Sequence, residues 1–473
     1  MPQLRLEGER PVSIEQWTLD PVAEEIASAN VYARLKPGPG RSAAEVSSHQ
    51  RSRINRAMIE VAASHGYGQA TIREIASVAS ISTRAFYQNY SGKEECFLRT
   101  HCLLVGRLLR RMEEAEADAG GGSTRLEAAV GAIVEEWGRD PQLARFFLIA
   151  PHGAGPAALA QSRLAGRSLA AQLAAGFADG LESEASRAHR LISVGVFAGL
   201  SSVARALIVN GRGRDLLEFR DDLARWTSSY RSHPATELEA LDAAGQSERW
   251  CESFQTSSSK PEQGGRAASS SGDAALLHSA VVKLAASGDR DKLTVHGICA
   301  AAGVSRTCFE AHFSDLEDCL AVIERRYAGA AWDQAFWVAE TAPPGTARVQ
   351  RGLTSLCNQV ARDPALANLC FGELIASGEW LARRERQHVY RLAELFDMAA
   401  PITGSKRRSI ALDAALGAAV GLIGNTVNEG PPGSICRRGP LIGYLTLAPL
   451  IGSSSAIDVV REESGLSELA QVS

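Results

Sequence analysis

One stretch of this sequence occurs twice, at a spacing of 223 residues. Residues 71–99 read TIREIASVASISTRAFYQNYSGKEECFLR, and residues 294–322 read TVHGICAAAGVSRTCFEAHFSDLEDCLAV. The same spacing still aligns Arg139-Asp140-Pro141 with Arg362-Asp363-Pro364, well beyond the motif. A constant offset over about seventy residues is expected of a duplicated domain and not of a short motif that recurs by chance. We therefore predict two related units in one chain.

Apolar residues recur at helical spacing through most of the chain. Helix follows helix from Ala44 to about Ser232 and from Asp273 to about Ser453, separated by short Gly or Pro breaks. No alternating pattern of useful length for a strand is present. With 473 residues, 45% of them hydrophobic, the chain can bury the cores of two or three domains. The sequence predicts an all-α protein.

Breaks in the helical pattern give the predicted domain boundaries. Residues 253–272, SFQTSSSKPEQGGRAASSSG, lose the apolar face and are typical of a flexible linker. The predicted segments are a flexible N-terminal arm (1–43), a helix-turn-helix domain (44–105), a helical ligand and dimerisation domain (106–232), a linker (233–272), a second helix-turn-helix-like domain (273–328), a second helical ligand and dimerisation domain (329–453) and a C-terminal tail (454–473).

Composition narrows the cellular setting. The nine cysteines show no CxxC pair and no Cys/His cluster at metal spacing, which predicts reduced cytosolic thiols and no metal or cofactor. The N-terminus, MPQLRLEGER, carries charges where a signal peptide needs an apolar core. The longest apolar stretches, Ala414–Gly424 and Leu441–Gly452, are shorter than the ~20 residues of a membrane span. We expect a cytoplasmic protein with no membrane partner.

Residues 48–99 have the local signals of a helix-turn-helix. An amphipathic helix is predicted over Ser48–Ser64. Thr71 with Glu74 predicts a capping box for the second helix, and Ser82 is placed to cap a third helix over Thr83–Asn89 after a turn at Ser80-Ile81. Ser91–Glu94 predicts another capping box, at the start of a long fourth helix.

The third helix is predicted to present a polar face to DNA. With Phe86 and Tyr90 buried, Arg and Gln on the outer face can form paired hydrogen bonds with base edges in the major groove, and other polar groups can contact phosphates. Arginines of the first helix would add salt-dependent attraction. The candidate contact residues are Arg73, Thr83, Arg84, Tyr87, Gln88, Asn89 and Lys93.

These residues resemble the TetR family of bacterial transcriptional regulators. The resemblance rests on Gly66-Tyr67, Thr71 to Ala76, Ser82, Phe86-Tyr87, Tyr90 and Lys93-Glu94, about fifty residues in all. It implies three DNA-binding helices followed by a larger helical ligand-binding and dimerisation domain, and it places the candidate contact residues at the DNA. One departure is Asn89, where histidine is usual.

The second helix-turn-helix-like segment keeps its apolar positions and loses its contact positions. Tyr87, Gln88 and Lys93 correspond to Glu310, Ala311 and Leu316. Residues 51–99 carry seven Lys/Arg against four acids, whereas residues 274–322 carry four against six. Because a carboxylate facing phosphates is repulsive, we expect a retained fold without a DNA surface. Arg306, Thr307 and Glu310 leave open a residual base contact. The apolar positions expected to be buried are Val295, Ile298, Ala302, Val304, Phe309 and Phe313.

The family resemblance implies a ligand pocket and a four-helix pairing surface. An unknown small-molecule effector is expected near Trp137, Phe146, Phe147, His152 and Phe177, although ordinary core packing explains each residue equally simply. The candidate pairing helices are His189–Gly211, Arg214–Ser232, Lys406–Gly430 and Arg437–Gly452. They can pair within one chain as a pseudo-dimer, which we favour, or between chains as a homodimer.

Two functions fit these features. The first is a ligand-responsive transcriptional repressor that binds an operator in double-stranded DNA through the first helix-turn-helix. The alternative is a ligand-sensing or partner-binding protein in which DNA contact is secondary. An enzyme is not expected, because the sequence has no HExxH, GxxxxGK[ST] or GxSxG motif and no Rossmann fingerprint after a strand.

Overall fold

The computed structural model describes residues 22–26, 28, 31–32, 43–119, 124–177, 186–230, 235–245, 272–288, 292–372, 378–399 and 410–463. Within these ranges the regular elements are helices and there is no strand, which confirms the all-α prediction. The chain divides into two compact units. Unit 1 comprises Met1–Ala185 and Val203–Ser228, and unit 2 comprises Ser186–Ser202 and Ser229–Ser473.

Unit 1 begins with the helix-turn-helix and continues into a helical bundle. Its helices are α1 (Val22–Ile26), α2 (Ala43–His65), α3 (Ile72–Val78), α4 (Thr83–Asn89), α5 (Lys93–Asp118), α6 (Arg125–Arg139), α7 (Pro141–Leu148), α8 (Pro156–Phe177), the C-terminal part of α9 (Arg187–Val209) and α10 (Arg220–Ser228). Short 3-10 helices cover Ala150–Gly153 and Gly213–Phe219.

Unit 2 contains helices from both halves of the sequence. They are the N-terminal part of α9, then α11 (Ala235–Gly245), α12 (Gly272–Ser287), α13 (Val295–Ala302), α14 (Arg306–His312), α15 (Leu316–Thr341), α16 (Thr346–Arg362), α17 (Pro364–Cys370), α18 (Gly378–Ala399), α19 (Ile410–Glu429), α20 (Gly439–Ile451) and α21 (Ser453–Glu463). A 3-10 helix covers Pro432–Arg438.

Helix boundaries recur at the spacing of the sequence repeat. Both ends of α4 and α14, and both ends of α5 and α15, are displaced by 223 residues. The helices α6 and α16 end at the same displacement, and α9 and α19 begin at it. Helix order therefore follows the residue correspondence from the helix-turn-helix into the bundle.

Three described helices lie in segments that the sequence analysis left without regular structure. The helix α1 falls in the predicted N-terminal arm, and it is held by Glu24, which accepts hydrogen bonds from Arg107 at 2.5 Å and Arg110 at 3.2 Å. The helix α11 falls in the predicted linker, and α21 begins at Ser453 and continues into the predicted tail. Both bury apolar residues at helical spacing, but these runs are too short to stand out between Ser- and Gly-rich neighbours. Residues 253–271 of the predicted linker lie outside the described residues.

Small residues allow a close approach between α9 and two later helices of unit 2. A Cβ atom added at Gly421 would lie 2.2 Å from Ala198, and one added at Gly417 would lie 2.6 Å from Ser202. At Gly195 the added atom would lie 2.6 Å from a methyl group of Leu445. The packing of α9 on α19 and α20 thus requires glycine at these positions.

Polar contacts reinforce this part of unit 2. The Tyr230 hydroxyl donates to the Leu445 carbonyl at 2.8 Å, and the Tyr444 hydroxyl donates to the Tyr230 carbonyl at 3.3 Å. The buried carboxylate of Asp242 on α11 pairs with Arg187 at 3.1 Å and with Arg438 at 3.2 Å. Residues that precede the predicted linker are therefore joined to residues that follow it.

Two described helices, Arg187–Val209 and Ile410–Glu429, are long and apolar enough to cross a membrane by length and composition alone. Their most apolar windows are 61% and 67% buried inside the protein. Core helices of soluble proteins pass the same test, so this is weak evidence for a span.

Candidate nucleic-acid interface

The helix-turn-helix of unit 1 is set by two side-chain caps and one left-handed residue. The Thr71 hydroxyl accepts from the Glu74 amide at 3.2 Å, and the Ser82 hydroxyl accepts from the Ala85 amide at 3.1 Å. Between α3 and α4 the chain turns through Ser80, which has a φ of +52°. The predicted turn and both cap residues are therefore found, and they fix the start of α4.

The inner face of α4 holds it against the helices that precede and follow it. Phe86 is fully buried, and its ring lies 5.9 Å from that of Tyr90. The Tyr90 hydroxyl donates to the side-chain oxygen of the buried Asn55 at 2.5 Å, and Thr100 donates to the same oxygen at 3.2 Å. This shared acceptor links α2, α4 and α5.

The outer face of α4 is open to solvent. Thr83, Arg84, Tyr87 and Gln88 are all exposed, and Tyr87 retains 58% of its surface although it is a large aromatic residue. Arg73 on α3 is exposed as well. Asn89 is half-buried, and its amide donates to the Ala85 carbonyl of the same helix at 2.8 Å. The structure thus brings five of the seven candidate contact residues to the surface and holds Asn89 closer to its own helix.

Lys93 has a different role from the one predicted. Its ammonium group donates to the carbonyls of Tyr67 and Ala70, each at 2.9 Å, and lies 4.1 Å from the centre of the Tyr67 ring. Burial lowers the pKa of this lysine. The charge predicted to contact phosphate is used inside unit 1, where it fastens the loop before α3 to the start of α5.

Two arginines of α2 are also engaged within unit 1. Arg53 is buried and donates to the Ser80 carbonyl at 2.9 Å, so it supports the left-handed turn. Arg56 pairs with Glu60 at 2.8 Å and with Asp140 at the start of α7. The salt-dependent attraction expected from these arginines is therefore not available from Arg53 and Arg56 as they stand here. The pairing with Asp140 instead fastens α2 to the bundle.

The second predicted capping box is shifted by one residue. Gly92 is the N-cap of α5, and the Ser91 amide and hydroxyl both donate to Glu95, at 2.7 and 2.6 Å, rather than engaging Glu94. The hydrogen bonds of the Ser91 amide and hydroxyl lower the pKa of the Glu95 carboxyl.

The helix-turn-helix-like segment of unit 2 keeps the same local design. Gly303 takes the left-handed conformation with a φ of +70°, at the position equivalent to Ser80. The Ser305 hydroxyl accepts from the Cys308 amide at 3.1 Å, and Phe309 is buried. Ile298 is buried too, while the other apolar residues predicted to be buried, Val295, Ala302, Val304 and Phe313, are half-exposed.

The outer face of α14 carries an internal ion pair. Arg306 donates to the Glu310 carboxylate at 2.8 Å, and both side chains are exposed. Glu310 stands where α4 has Tyr87, so its carboxylate neutralises the one arginine of α14. This arrangement offers less to a DNA phosphate than the outer face of α4 does.

Two pairs of aromatic rings within unit 1 involve candidate ligand residues. The rings of Trp137 and Phe147 lie 6.1 Å apart, and Phe146 lies 4.7 Å from Phe97. All five candidate residues, which include His152 and Phe177, are buried. The structure therefore packs these side chains in the core of the bundle.

His101 belongs to this aromatic cluster and was not predicted. Its ring stacks on Phe147 at 5.0 Å with an interplanar angle of 8°. Desolvation by burial lowers the pKa of His101 to about 4, so the ring is neutral at physiological pH. Its position four residues after Phe97 on α5 is the signal that places both rings on one helical face.

A polar groove of about 740 Å³ lies elsewhere on unit 1. Charged residues of α5, α6 and α10 line it, among them Arg111, Glu135 and Arg220. None of the five candidate ligand residues lines this groove. Its chemistry differs from the apolar effector site that the sequence predicted.

Comparison with known proteins identifies one part of the chain. Residues 54–100 match the family model described as "Bacterial regulatory proteins, tetR family". A curated relative, the uncharacterized HTH-type transcriptional regulator YerO of Bacillus subtilis (strain 168), is 31% identical over 90 residues. This match covers 19% of the present chain and about a third (31%) of the length of that relative.

Two solved structures are similar at low identity. The fatty acid degradation regulator FadR from Bacillus halodurans gives a TM-score of 0.35 at 19% identity, covering 42% of this chain and all of that chain (100%). The transcriptional regulator FadR from Bacillus subtilis, in complex with stearoyl-CoA, gives 0.34 at 17% identity, covering 38% of this chain and 98% of that chain. At these TM-scores the similarity does not establish a shared overall fold. The family assignment therefore applies to residues 54–100, which form a tetR-type helix-turn-helix with an exposed recognition face.

Proposed function

We propose that this chain is a sequence-specific transcriptional regulator, a ligand-responsive cytoplasmic repressor whose first helix-turn-helix reads the DNA major groove. The observation that carries the proposal is the outer face of α4. Arg84, Gln88, Thr83 and Tyr87 are exposed on a helix whose start is fixed by Ser82 and whose inner face is fixed by Phe86. Arg and Gln on a rigid helix supply the paired donors and acceptors that base edges require.

The test is the affinity for a DNA site selected from a random pool with the full-length protein. Arg84→Ala and Gln88→Ala should each weaken specific binding about 5- to 150-fold, the effect of losing a paired base contact worth ~1–3 kcal/mol. Thr307→Ala, at the position in α14 equivalent to Arg84, is the matched control and should change nothing. Unchanged affinity in the Arg84→Ala, Gln88→Ala double variant would favour the alternative, a sensing or partner-binding protein.

We also propose that the chain is a tandem duplication whose two copies pair internally. The recurrence of helix boundaries at 223 residues supports the duplication. The close approach of α9 to α19 at Gly417 and Gly421, within unit 2, supports the internal pair. Light scattering should then give the mass of one chain, 50.3 kDa, for the DNA-free protein. A mass of two chains would favour a homodimer.

An effector would act on the first helix-turn-helix through α5, which runs from Lys93 at the DNA-binding domain to Asp118 in the bundle. We place the effector among the predicted residues near Trp137 and Phe147, beside His101. A compound that releases DNA from the wild-type protein should lose this effect in Phe147→Ala. A retained effect would put the effector site elsewhere.

A further inference from the structure

Three side chains of the helix-turn-helix-like segment of unit 2 can ligate a metal ion together. Asp273 lies in the first turn of α12, and Cys308 and His312 lie on α14. Their ligand atoms all lie within 4.8 Å of one another. We propose that these three residues form a binding site for a divalent transition metal ion of the Zn²⁺ type.

The spacing along α14 carries the first part of the argument. Cys308 and His312 are four residues apart, so they share one face of the helix. The helix α12 packs against α14, and this packing places the carboxylate of Asp273 beside that face. The Cys308 thiol already forms a hydrogen bond with the Asp273 carboxylate, so two of the three groups are in direct contact.

The chemistry of the three groups carries the second part. A thiolate, an imidazole and a carboxylate are the three protein ligands of Zn²⁺, and a site with three protein ligands keeps a fourth position for water. In tetrahedral coordination the ligand atoms lie about 3.5 Å apart, given metal–ligand bonds of ~2.0–2.3 Å. Asp273 and His312 are exposed, so rotation of their side chains can close the remaining distance of about 1 Å.

Comparison within the chain shows that this cluster is not a general property of the helix-turn-helix. The equivalent positions of unit 1 hold Gln50, Ala85 and Asn89, a set with neither thiol, imidazole nor carboxylate. Histidine is usual at the position of His312 in the tetR family. The additions that matter are therefore the thiol of Cys308 and the carboxylate of Asp273.

The same helix has lost the residues that would read DNA. Glu310 replaces Tyr87 and Ala311 replaces Gln88, and Arg306 is paired with Glu310. A bound metal would join α12 to α14 and would tie the first helix of this segment to the helix that corresponds to α4. The segment is then a metal-binding module built on a helix-turn-helix scaffold, and this conclusion does not depend on DNA binding by unit 1.

The experiment is a cobalt titration of the full-length, reduced, metal-free protein. Co²⁺ reports thiolate ligation through a near-ultraviolet charge-transfer band and tetrahedral geometry through visible bands. We expect one Co²⁺ per chain, displaced by Zn²⁺. Cys308→Ser should abolish the charge-transfer band. His312→Asn and Asp273→Asn should each weaken binding at least ~10-fold, which is the lower end of what altering even the supporting groups of a metal site causes.

Matched controls are available on neighbouring elements. His296→Asn, an exposed histidine on α13, and Cys436→Ser, a partly exposed cysteine of unit 2, should leave the titration unchanged. Circular dichroism should show that each variant remains helical. A charge-transfer band that persists in Cys308→Ser would overturn the proposal. Unchanged affinity in both His312→Asn and Asp273→Asn would overturn it as well, because it would mean adventitious binding to a single thiol.

Discussion

Asp140 performs two tasks at the junction between the DNA-binding domain and the bundle, and a matched residue in unit 2 performs only one of them. Its carboxylate accepts from the amides of Gln142 and Leu143, at 3.2 and 3.1 Å, and so caps α7. It also pairs with Arg56 on α2. In unit 2, Asp363 caps α17 through Ala365 and Leu366 at 2.9 and 3.1 Å, but the position equivalent to Arg56 is a serine.

This difference allows the cap and the ion pair to be separated. Asparagine is as good an N-cap as aspartate, whereas alanine loses the cap at a cost of about 1 kcal/mol. The side chains of Arg56 and Asp140 are 15% and 25% exposed, so their pair lies between the surface case, worth ~0–1 kcal/mol, and the buried case, where removing one partner costs ~3–5 kcal/mol. Because Arg56 keeps Glu60 at 2.8 Å, we take the lower part of this interval, about 1–2 kcal/mol.

The expected free-energy changes follow directly. Asp140→Asn should cost about 1–2 kcal/mol and Asp140→Ala about 2–3, whereas Asp363→Asn should cost about zero and Asp363→Ala about 1. Hydrogen–deuterium exchange of the amides in α7 and α17 measures each change locally. A loss of 2–3 kcal/mol appears as roughly 30- to 150-fold faster exchange.

Two results would refute the reasoning. If Asp140→Asn and Asp363→Asn accelerate exchange equally, the pair with Arg56 contributes nothing. If Arg56→Met in the Asp140→Asn background costs as much as in the wild type, the two residues are not coupled.

Three further predictions concern single side chains. Ser80→Gly should stabilise the first helix-turn-helix by about 0.5–1 kcal/mol, because glycine adopts the left-handed φ of +52° without strain; slower exchange of α3 and α4 amides would show it, and unchanged exchange would contradict it. Lys93→Met removes the donor to two loop carbonyls and should destabilise unit 1 by about 1–2 kcal/mol in urea unfolding, while the salt dependence of DNA binding stays the same; a slope reduced by about one would mean a phosphate contact. Burial raises the pKa of Glu324 to about 7, so the folded state keeps a proton that the unfolded state has released, and stability should fall as the pH rises from about 4.5 to 7, by up to ~3 kcal/mol. Glu324→Gln should remove this dependence between pH 5 and 8, and an unchanged pH profile would contradict the assignment.

The local signals of the sequence were enough to predict the helix-turn-helix. Thr71 and Ser82 cap helices as predicted, Phe86 is buried, and Arg84 and Gln88 face solvent. Capping and helical periodicity depend on residues within four positions of one another, so they can be read from the sequence directly.

The use of charged side chains could not be predicted in the same way. Arg56 finds Asp140 from 84 residues away, and Lys93 turns back to carbonyls more than twenty residues earlier. A cation at the edge of a helix has the same sequence pattern whether its partner is a phosphate, water or a distant carboxylate. For the same reason the cluster of Asp273, Cys308 and His312 escaped notice, since its members come from two helices.

The division of α9 between the two units has a consequence for truncation. A chain that ended in the predicted linker would retain Gly195, Ala198 and Ser202 but lose Leu445, Gly421 and Gly417, which lie against them. The exposed apolar surface would then promote aggregation of an N-terminal fragment that still carries an intact recognition helix. Mutations that erase DNA contacts from the later half leave folding unharmed, whereas deletion of that half does not. Gene shortening is thereby blocked, and the second half persists as an obligatory folding partner that is free to acquire other chemistry.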